Sequence, residues 1–450
     1  MERQFDIVVI GTGAGGSSVA HKCRKEGWEV AIIDSLPFGG TCALRGCDPK
    51  KVLVGAAELI DWNRRMRGNG IVGNAAEIDW QELMRFKRTF TEPVPANRER
   101  AFAKAGISTF HGRAKFLDST TVQVGDDILT GKFVHIAAGA KPANLGIRGE
   151  EHLTTSTDFL ELHELPAEIT FVGGGYIAFE FAHIAARAGA SVKIIHRGER
   201  PLEGFDADLV QTLIEATNDA GIEIILGSSV ATVETEGEKF IVRTSNKFSH
   251  ISFKADIVVH SAGRTPDIDD MNLEKAGIEY GERGIRVNEY LQSVSNPRVY
   301  AAGDAADSGG FPLTPVAALE GLIAASNILK GNHIQPDYTG VPTVVFTIPP
   351  LSAVGLTEKE AADQGLKFTV KYEDTSGWYS SRRVGLNYSA YKTLVEEDTG
   401  RILGAHLLGV HAEEVINIFA LAIRSGLTAR DLKRMIYAYP TSDSDISYML

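Results

Sequence analysis

The chain opens on an apolar run, Phe5 to Ile10, broken by one polar residue, Asp6, and read as a strand buried on both faces. A glycine-rich turn follows, Gly11-Thr12-Gly13-Ala14-Gly15-Gly16, then a helical stretch that ends near Gly27. Val30 to Ile33 is a second apolar run, closed by Asp34. The order recurs about 160 residues later. Ile169 to Val172 reads as a strand and Gly173-Gly174-Gly175-Tyr176-Ile177-Ala178 as its turn. Glu180 to Ala188 reads as a helix and Ser191 to Ile195 as the next strand. One strand–turn–helix–strand unit is therefore used twice, which predicts two α/β layers built on parallel strands.

Other stretches are plainer. Trp80 to Ala105 reads as helix interrupted by Pro93 and Pro95, and Ile107 to Val124 as short strands. Lys141-Pro142-Ala143-Asn144 marks a boundary. Ala255 to Gly263 and Val299 to Asp304 read as strands. Tyr338 to Pro350, rich in proline and threonine, reads as a linker. An amphipathic helix is expected near Glu413 to Ser425, and a polar turn with a short helix at the C-terminal end.

At 450 residues the chain has room for two to four domains and needs no disulfide or metal to fold. Lys plus Arg number 46 against 58 Asp plus Glu, a net charge of −12. That balance argues against nucleic acid or an anionic membrane as partner. No apolar run approaches the ~20 residues of a membrane span, and no signal peptide precedes the first strand. With three cysteines, Cys23, Cys42 and Cys47, a secreted disulfide scaffold is excluded and a cytoplasmic protein expected.

The two glycine turns carry the first chemistry. Gly11, Gly13, Ala14, Gly15 and Gly16 lie between a strand and a helix, and Asp34 stands eighteen residues after the last. Glycines permit the tight turn and the close approach of a pyrophosphate to the helix N-terminus, while the acid takes ribose hydroxyls. The alternative is an ordinary turn with a surface aspartate. In the second unit Gly173, Gly175, Tyr176, Ile177 and Ala178 form the turn, and the second strand ends in His196-Arg197-Gly198-Glu199-Arg200. Arginine pairs with a 2′-phosphate that an acid would repel, so Arg197 and Arg200 favour NADPH, with NADH possible. Two turns imply two nucleotides.

Cys42 and Cys47 stand five residues apart in Gly39-Gly40-Thr41-Cys42-Ala43-Leu44-Arg45-Gly46-Cys47-Asp48-Pro49-Lys50-Lys51. In an unbroken helix that spacing gives a rise of about 7.5 Å, too long for a disulfide. A bridge therefore needs a distorted turn, which Gly46 permits, and a strained cytosolic disulfide suits catalysis. Two buried thiols or half of a metal site remain as alternatives, though zinc wants four ligands. Cys23 belongs to the first helix and is expected in the core.

With these stretches in view, the chain resembles the class I pyridine nucleotide-disulfide oxidoreductases along its whole length. The glycine-cysteine segment from Gly39 to Lys50 is the most specific likeness. Ala138-Gly139, Ala262-Gly263-Arg264, Ala302-Gly303-Asp304, Leu313-Thr314-Pro315 and Phe346-Thr347-Ile348-Pro349-Pro350 are further ones. The resemblance implies an FAD-binding domain over 1–143, a nicotinamide domain over 144–266, a segment returning to the FAD domain over 267–338, and an α+β dimerisation domain over 339–450. It implies a homodimer with a small-molecule acceptor. Asp34, Gly40, Thr41, Ala114, Gly139, Asp304 and Thr314 would join the first turn around FAD. Gly263 and Arg197 would join the second around NADPH, with Tyr176 gating the nicotinamide. Lys50 would sit by the flavin and pair with Glu180. Cys47 would face the flavin, Cys42 would attack the acceptor, and a Cys42–Cys47 disulfide would be opened and closed in turnover.

The family ends in His-Pro-Thr with a Glu five residues after the His, and that His comes from the partner subunit. Here Tyr439-Pro440-Thr441 and Ser444 stand in those places. A phenol donates a proton but is a weak base at neutral pH, so Tyr439 is an altered acid–base group or only an interface residue. His21 stands where glutathione reductase carries a glutathione-binding arginine. Trp378, Tyr379, Arg382 and Arg383 read as a solvated patch. Three functions are in view: a reductase of disulfides, a reductase of a metal ion or quinone, and a redox-sensing flavoprotein with slow turnover.

Overall fold

The computed structural model describes residues 1–245 and 250–450. Two compact units divide the chain, the first made of Met1–Lys50, Arg85–Ala143 and Gly263–Tyr338, the second of Lys51–Met84, Asn144–Ala262 and Thr339–Leu450.

In the first unit β1 (Glu2–Ile10), β2 (Val30–Asp34), β3 (Ser108–His111), β4 (Ala114–Phe116), β5 (Thr121–Val124) and β6 (Asp127–Ile136) lie in the order β3-β2-β1-β6-β5-β4. Strand Val299–Ala301 pairs with the far end of β6. β1 runs parallel to both β2 and β6, with Val9 opposite Ile32 and His135. Helix α1 (Ala14–Lys25) lies on one face through Val19, Ala20 and the buried Cys23. It meets helix Thr314–Lys330 at Gly15 and Gly321, where a Cβ on Gly321 would stand 2.3 Å from the Gly15 carbonyl oxygen. Prolines 93 and 95 end one helix and open the next, giving α4 (Trp80–Thr91) and α5 (Val94–Ala105) after α2 (Gly40–Arg45) and α3 (Cys47–Arg65). α4 is divided between the two units, its residues up to Met84 counted with the second and those from Arg85 with the first.

The second unit holds three sheets. A parallel one runs in the order Ile222–Ile225, Ser191–Ile195, Glu168–Val172, Ile257–His260, with helix Tyr176–Arg187 packed beside it. Three antiparallel strands lie between Ser229 and Ala255. Five more antiparallel strands follow the order Thr343–Val345, Leu351–Gly355, Ile402–Leu408, Ala390–Glu396, Phe368–Asp374, covered by helix Ala412–Arg424. The α/β class with parallel sheets and a C-terminal α+β part is as expected.

Some boundaries differ. The strand expected over Ala255 to Gly263 is interrupted after Ala255 and regular only over Ile257–His260. The one expected up to Asp304 stops at Ala301, because Gly303 adopts φ +66° and opens a 3-10 turn. The stretch Tyr338 to Pro350 is no loose linker. It contributes Thr343–Val345 to the sheet, and one face of helix Tyr176–Arg187 holds its next residues. Glu180 Oε1 accepts the Phe346 N–H at 2.9 Å, His183 Nδ1 accepts the Ile348 N–H at 3.0 Å, and Arg187 donates to the Ile348 carbonyl at 3.2 Å.

Candidate active site

The first glycine turn is shaped by packing. Gly11 takes φ +102°, and a Cβ there would stand 2.1 Å from the Ala137 carbonyl oxygen; one on Gly16 would stand 1.9 Å from the Gly11 oxygen. No side chain caps α1 at Gly13, so its first N–H groups face outward for an anion. Asp34 closes β2, where Oδ2 accepts the Thr12 N–H at 2.9 Å and its hydroxyl at 2.6 Å, and Oδ1 accepts the Leu36 N–H at 3.0 Å. The carboxylate is thus aimed, and retains acceptor capacity for a hydroxyl. Arg45 feels the charges of both Asp34 and Arg264, is half-buried, and makes no hydrogen bond among the described residues. Burial lowers its pKa, Asp34 acts the other way, and Arg264 adds to the lowering. A desolvated guanidinium and an uncapped helix start are each donors suited to a pyrophosphate.

Gly40 takes φ +75°, and its Cβ would stand 2.4 Å from the Gly13 Cα, so the cysteine helix abuts the turn. Thr41 follows within α2. Gly139 takes φ +74° with open space about it. Gly303 is held by Glu320, whose Oε2 accepts its N–H at 2.7 Å, and Asp304 stands 3.8 Å from Arg264. Ala114 is different: its side chain is packed in the core with Phe110 and Val124, so only its backbone can meet a cofactor.

The two cysteines meet because the helix breaks between them. α2 ends at Arg45, Gly46 adopts φ −145° and ψ −116°, and α3 starts at Cys47. Both sulfurs are thiols, hydrogen-bonded to each other. Cys47 Sγ lies 3.8 Å from Thr314 Oγ1, at the start of helix Thr314–Lys330. Cys42 Sγ lies 3.8 Å from Asp48 Oδ1. The bond to Cys47 and burial push the Cys42 thiol up, with the Asp48 charge adding to them and Thr314 opposing. Lys50 is buried in the first turn of α3. Cys23 is a core thiol, pushed up to about 12 by burial. Among the described residues no group of three or more His, Cys, Asp or Glu is arranged to hold a metal ion.

In the second unit Gly173 takes φ +109°, and its Cβ would stand 2.5 Å from the Ser261 oxygen. Gly175 precedes helix Tyr176–Arg187 without a side-chain cap, Ala178 is buried, Ile177 partly so, and Tyr176 is half exposed. Glu180 is buried, 3% exposed. His196 Nδ1 accepts the Gly174 N–H at 3.1 Å and its Nε2 lies 3.1 Å from the Arg200 carbonyl. Arg200 turns inward to the carbonyls of Phe205 and Glu203, whereas Arg197 is exposed. Of the two arginines, Arg197 is the one open to solvent. Gly263, counted with the first unit, takes φ +113° with open space around it and accepts the Ala143 N–H.

Tyr439 precedes a cis proline and is 83% exposed. Ser444 does not reach towards it, for its hydroxyl donates to the Thr441 carbonyl at 2.6 Å. His21 stacks on Phe102, and Trp378 packs on Tyr391 and Tyr448, so that patch is partly structural. Sequence reasoning passed over Arg45 and Asp48. Arg45 carries no pattern that marks it; Asp48 was visible as an acid directly after the second cysteine.

Residues 5–321 match the model of the pyridine nucleotide-disulphide oxidoreductase family and residues 341–449 its dimerisation domain. The chain belongs to this family. Among its relatives, a glutathione reductase of Nostoc sp. is 31% identical over 100% of both chains. A mercuric reductase of Lysinibacillus sphaericus is 32% identical over 98% of this chain and 81% of that protein. The solved Cu(II) complex of the HOCl-induced flavoprotein disulfide reductase RclA from Escherichia coli superposes with TM-score 0.88 at 27% identity, covering 99% of each chain. As a pyridine nucleotide-disulphide oxidoreductase, the protein is an enzyme that uses a flavin and a pyridine nucleotide. No described helix is long and apolar enough to cross a membrane.

Proposed function

We propose that the protein is a homodimeric, cytoplasmic, FAD-dependent reductase that prefers NADPH and delivers electrons through Cys42 and Cys47 to a disulfide or related sulfur acceptor. The observation that carries this is the contact of the two thiols at a helix break abutting the first nucleotide turn. Segments 1–143 and 267–338 hold FAD, 144–266 the nicotinamide nucleotide, and 339–450 the partner subunit.

FAD, when bound, supplies a two-electron carrier between nicotinamide and sulfur. The α1 start and Arg45 bind its pyrophosphate, and Asp34 orients its ribose. Arg197 binds the 2′-phosphate of NADPH, and Tyr176 covers the nicotinamide site. Thr314 holds Cys47 in place, Lys50 supplies a buried positive charge, and Glu180 orients its neighbourhood through the Phe346 amide. Cys42 forms the mixed disulfide with the acceptor, and Cys47 resolves it. Tyr439, presented to the other subunit of the dimer, donates a proton to the departing thiolate.

The test is Cys42→Ser. NADPH still reduces the flavin, while disulfide reduction falls by at least a hundredfold. Retained turnover would mean that the flavin donates directly to the acceptor. A second reading, reduction of a metal ion or quinone, is favoured by the lack of an imidazole at Tyr439 and by the engagement of Ser444 with Thr441. A panel of disulfides, quinones and metal ions separates the two by steady-state rate.

A further inference from the structure

At the two positions where the family carries its C-terminal His and Glu, this chain has Tyr439 and Ser444, and neither is a base at neutral pH. Tyr439 is a phenol, and the Ser444 hydroxyl is spent on Thr441. A thiol attacking a disulfide must nevertheless lose its proton, because the thiolate is the nucleophile. The polar side chains that interact with Cys42 include Cys47, Thr314 and Asp48. Of these, Asp48 has a carboxylate, which can accept a proton.

Asp48 stands six residues after Cys42, in the first turn of α3. In a continuous helix a residue six on lies on another face. The break at Gly46 instead returns the chain, so that the carboxylate comes to 3.8 Å from the Cys42 sulfur, a long S–H···O contact. An acid in a first helical turn is favoured by the dipole alone, which would account for Asp48 but not for its contact with the thiol. Asp48 is exposed and Cys42 half-buried, so the pair is open to solvent.

We propose that Asp48 is the general base of the acceptor half-reaction, acting within its own subunit in place of a partner imidazole. This rests on the reading of Cys42 as the attacking thiol. The Cys42 proton passes to the Asp48 carboxylate as the sulfur attacks one sulfur of the acceptor disulfide. A Cys42–acceptor S–S bond forms and the acceptor's own S–S bond breaks, its electron pair leaving on a thiolate that Tyr439 protonates, and the proton held by Asp48 then returns through solvent to the phenolate. Cys47 then attacks the Cys42 sulfur and its proton goes to the second departing thiolate. The acceptor gains two electrons and two protons, and the dithiol becomes the Cys42–Cys47 disulfide.

A carboxylate is also a like charge beside a nascent thiolate, and raises the Cys42 pKa. The two roles have opposite consequences on substitution. The flavin-loaded, NADPH-reduced full chain carrying Asp48→Asn is compared with the natural protein, rates being normalised to bound flavin. Alkylation of Cys42 by iodoacetamide is followed by mass spectrometry across pH, beside reduction of bis(hydroxyethyl) disulfide. Losing the charge shifts the alkylation midpoint to lower pH and speeds alkylation at neutral pH. Losing the base slows disulfide reduction by about a hundredfold, and Asp48→Glu restores a measurable share. Disulfide reduction that is unchanged, or that rises with alkylation, overturns the proposal and leaves Asp48 as an electrostatic brake. Should Asp48→Asn fail to bind flavin, Asp48→Ser carries the same comparison. Failure of the underlying reading shows elsewhere, as a Cys42→Ser protein that still reduces the disulfide.

Discussion

His135 lies on β6 in the middle of the first sheet, fully buried, with neither ring nitrogen hydrogen-bonded among the described residues. Burial lowers its pKa to about 3. The unfolded chain takes up a proton near pH ~6.5 that the folded chain refuses, so stability is full above that pH and is lost as pH falls. The loss is about 1.4 kcal/mol per pH unit below ~6.5. His135→Leu is expected to flatten the fall of the melting temperature between neutral pH and pH ~4, read by thermal unfolding. An unaltered slope would place the acid-sensitive group elsewhere. A second residue tests the coenzyme. Arg197→Glu is expected to raise KM for NADPH by tenfold or more and to change that for NADH little. Equal effects on the two would remove Arg197 from the phosphate site.

At the scale of elements, the same amino acid has opposite meanings in neighbouring helices. Gly16 has no room for a Cβ, which would stand 1.9 Å from the Gly11 oxygen, whereas Gly55 in α3 has nothing within 4 Å. Gly16→Ala forces α1 away from the strand before it and is expected to cost about 1–3 kcal/mol together with most of the bound flavin. Gly55→Ala, in an open helix position, is expected to be neutral or stabilising by up to ~1 kcal/mol. Flavin absorbance per protein and melting temperature check both. Both turns were readable in the sequence because glycine at those spacings has few other reasons to be there. The break at Gly46 was foreseeable as a need, since two cysteines five apart cannot touch in a regular helix. What it does to Asp48 was not, because that depends on the direction in which the chain leaves the break.

For the whole molecule, the C-terminal part exposes apolar side chains that a monomer has no use for, with Ile436 97% exposed, Leu421 62% and Tyr448 66%. A face of this kind fits a dimer. Ile436→Asp is expected to shift the protein towards monomer in sedimentation, to leave NADPH-dependent reduction of bound flavin, and to lower acceptor turnover if Tyr439 acts across the interface. A monomer with full acceptor turnover would remove Tyr439 from the chemistry. The fold class was legible in the repeated strand–turn–helix–strand pattern. The stretch read as a linker was not, because proline and threonine report local stiffness and say nothing about partners. Glu180, His183 and Arg187, spaced along one helix face, are what order its backbone.

The sequence by itself determined the nucleotide turns, the cysteine pair and the kind of chemistry, since each rests on residues adjacent in the chain with spacings that geometry allows in few ways. The tertiary structure decided which charges count. It turned Arg200 inward and left Arg197 exposed, desolvated Arg45 in the field of Asp34 and Arg264, and brought the Asp48 carboxylate to the Cys42 sulfur. Charge in a sequence is a property of one residue, whereas its effect depends on burial and on the group it faces, and both are fixed only when the chain has folded.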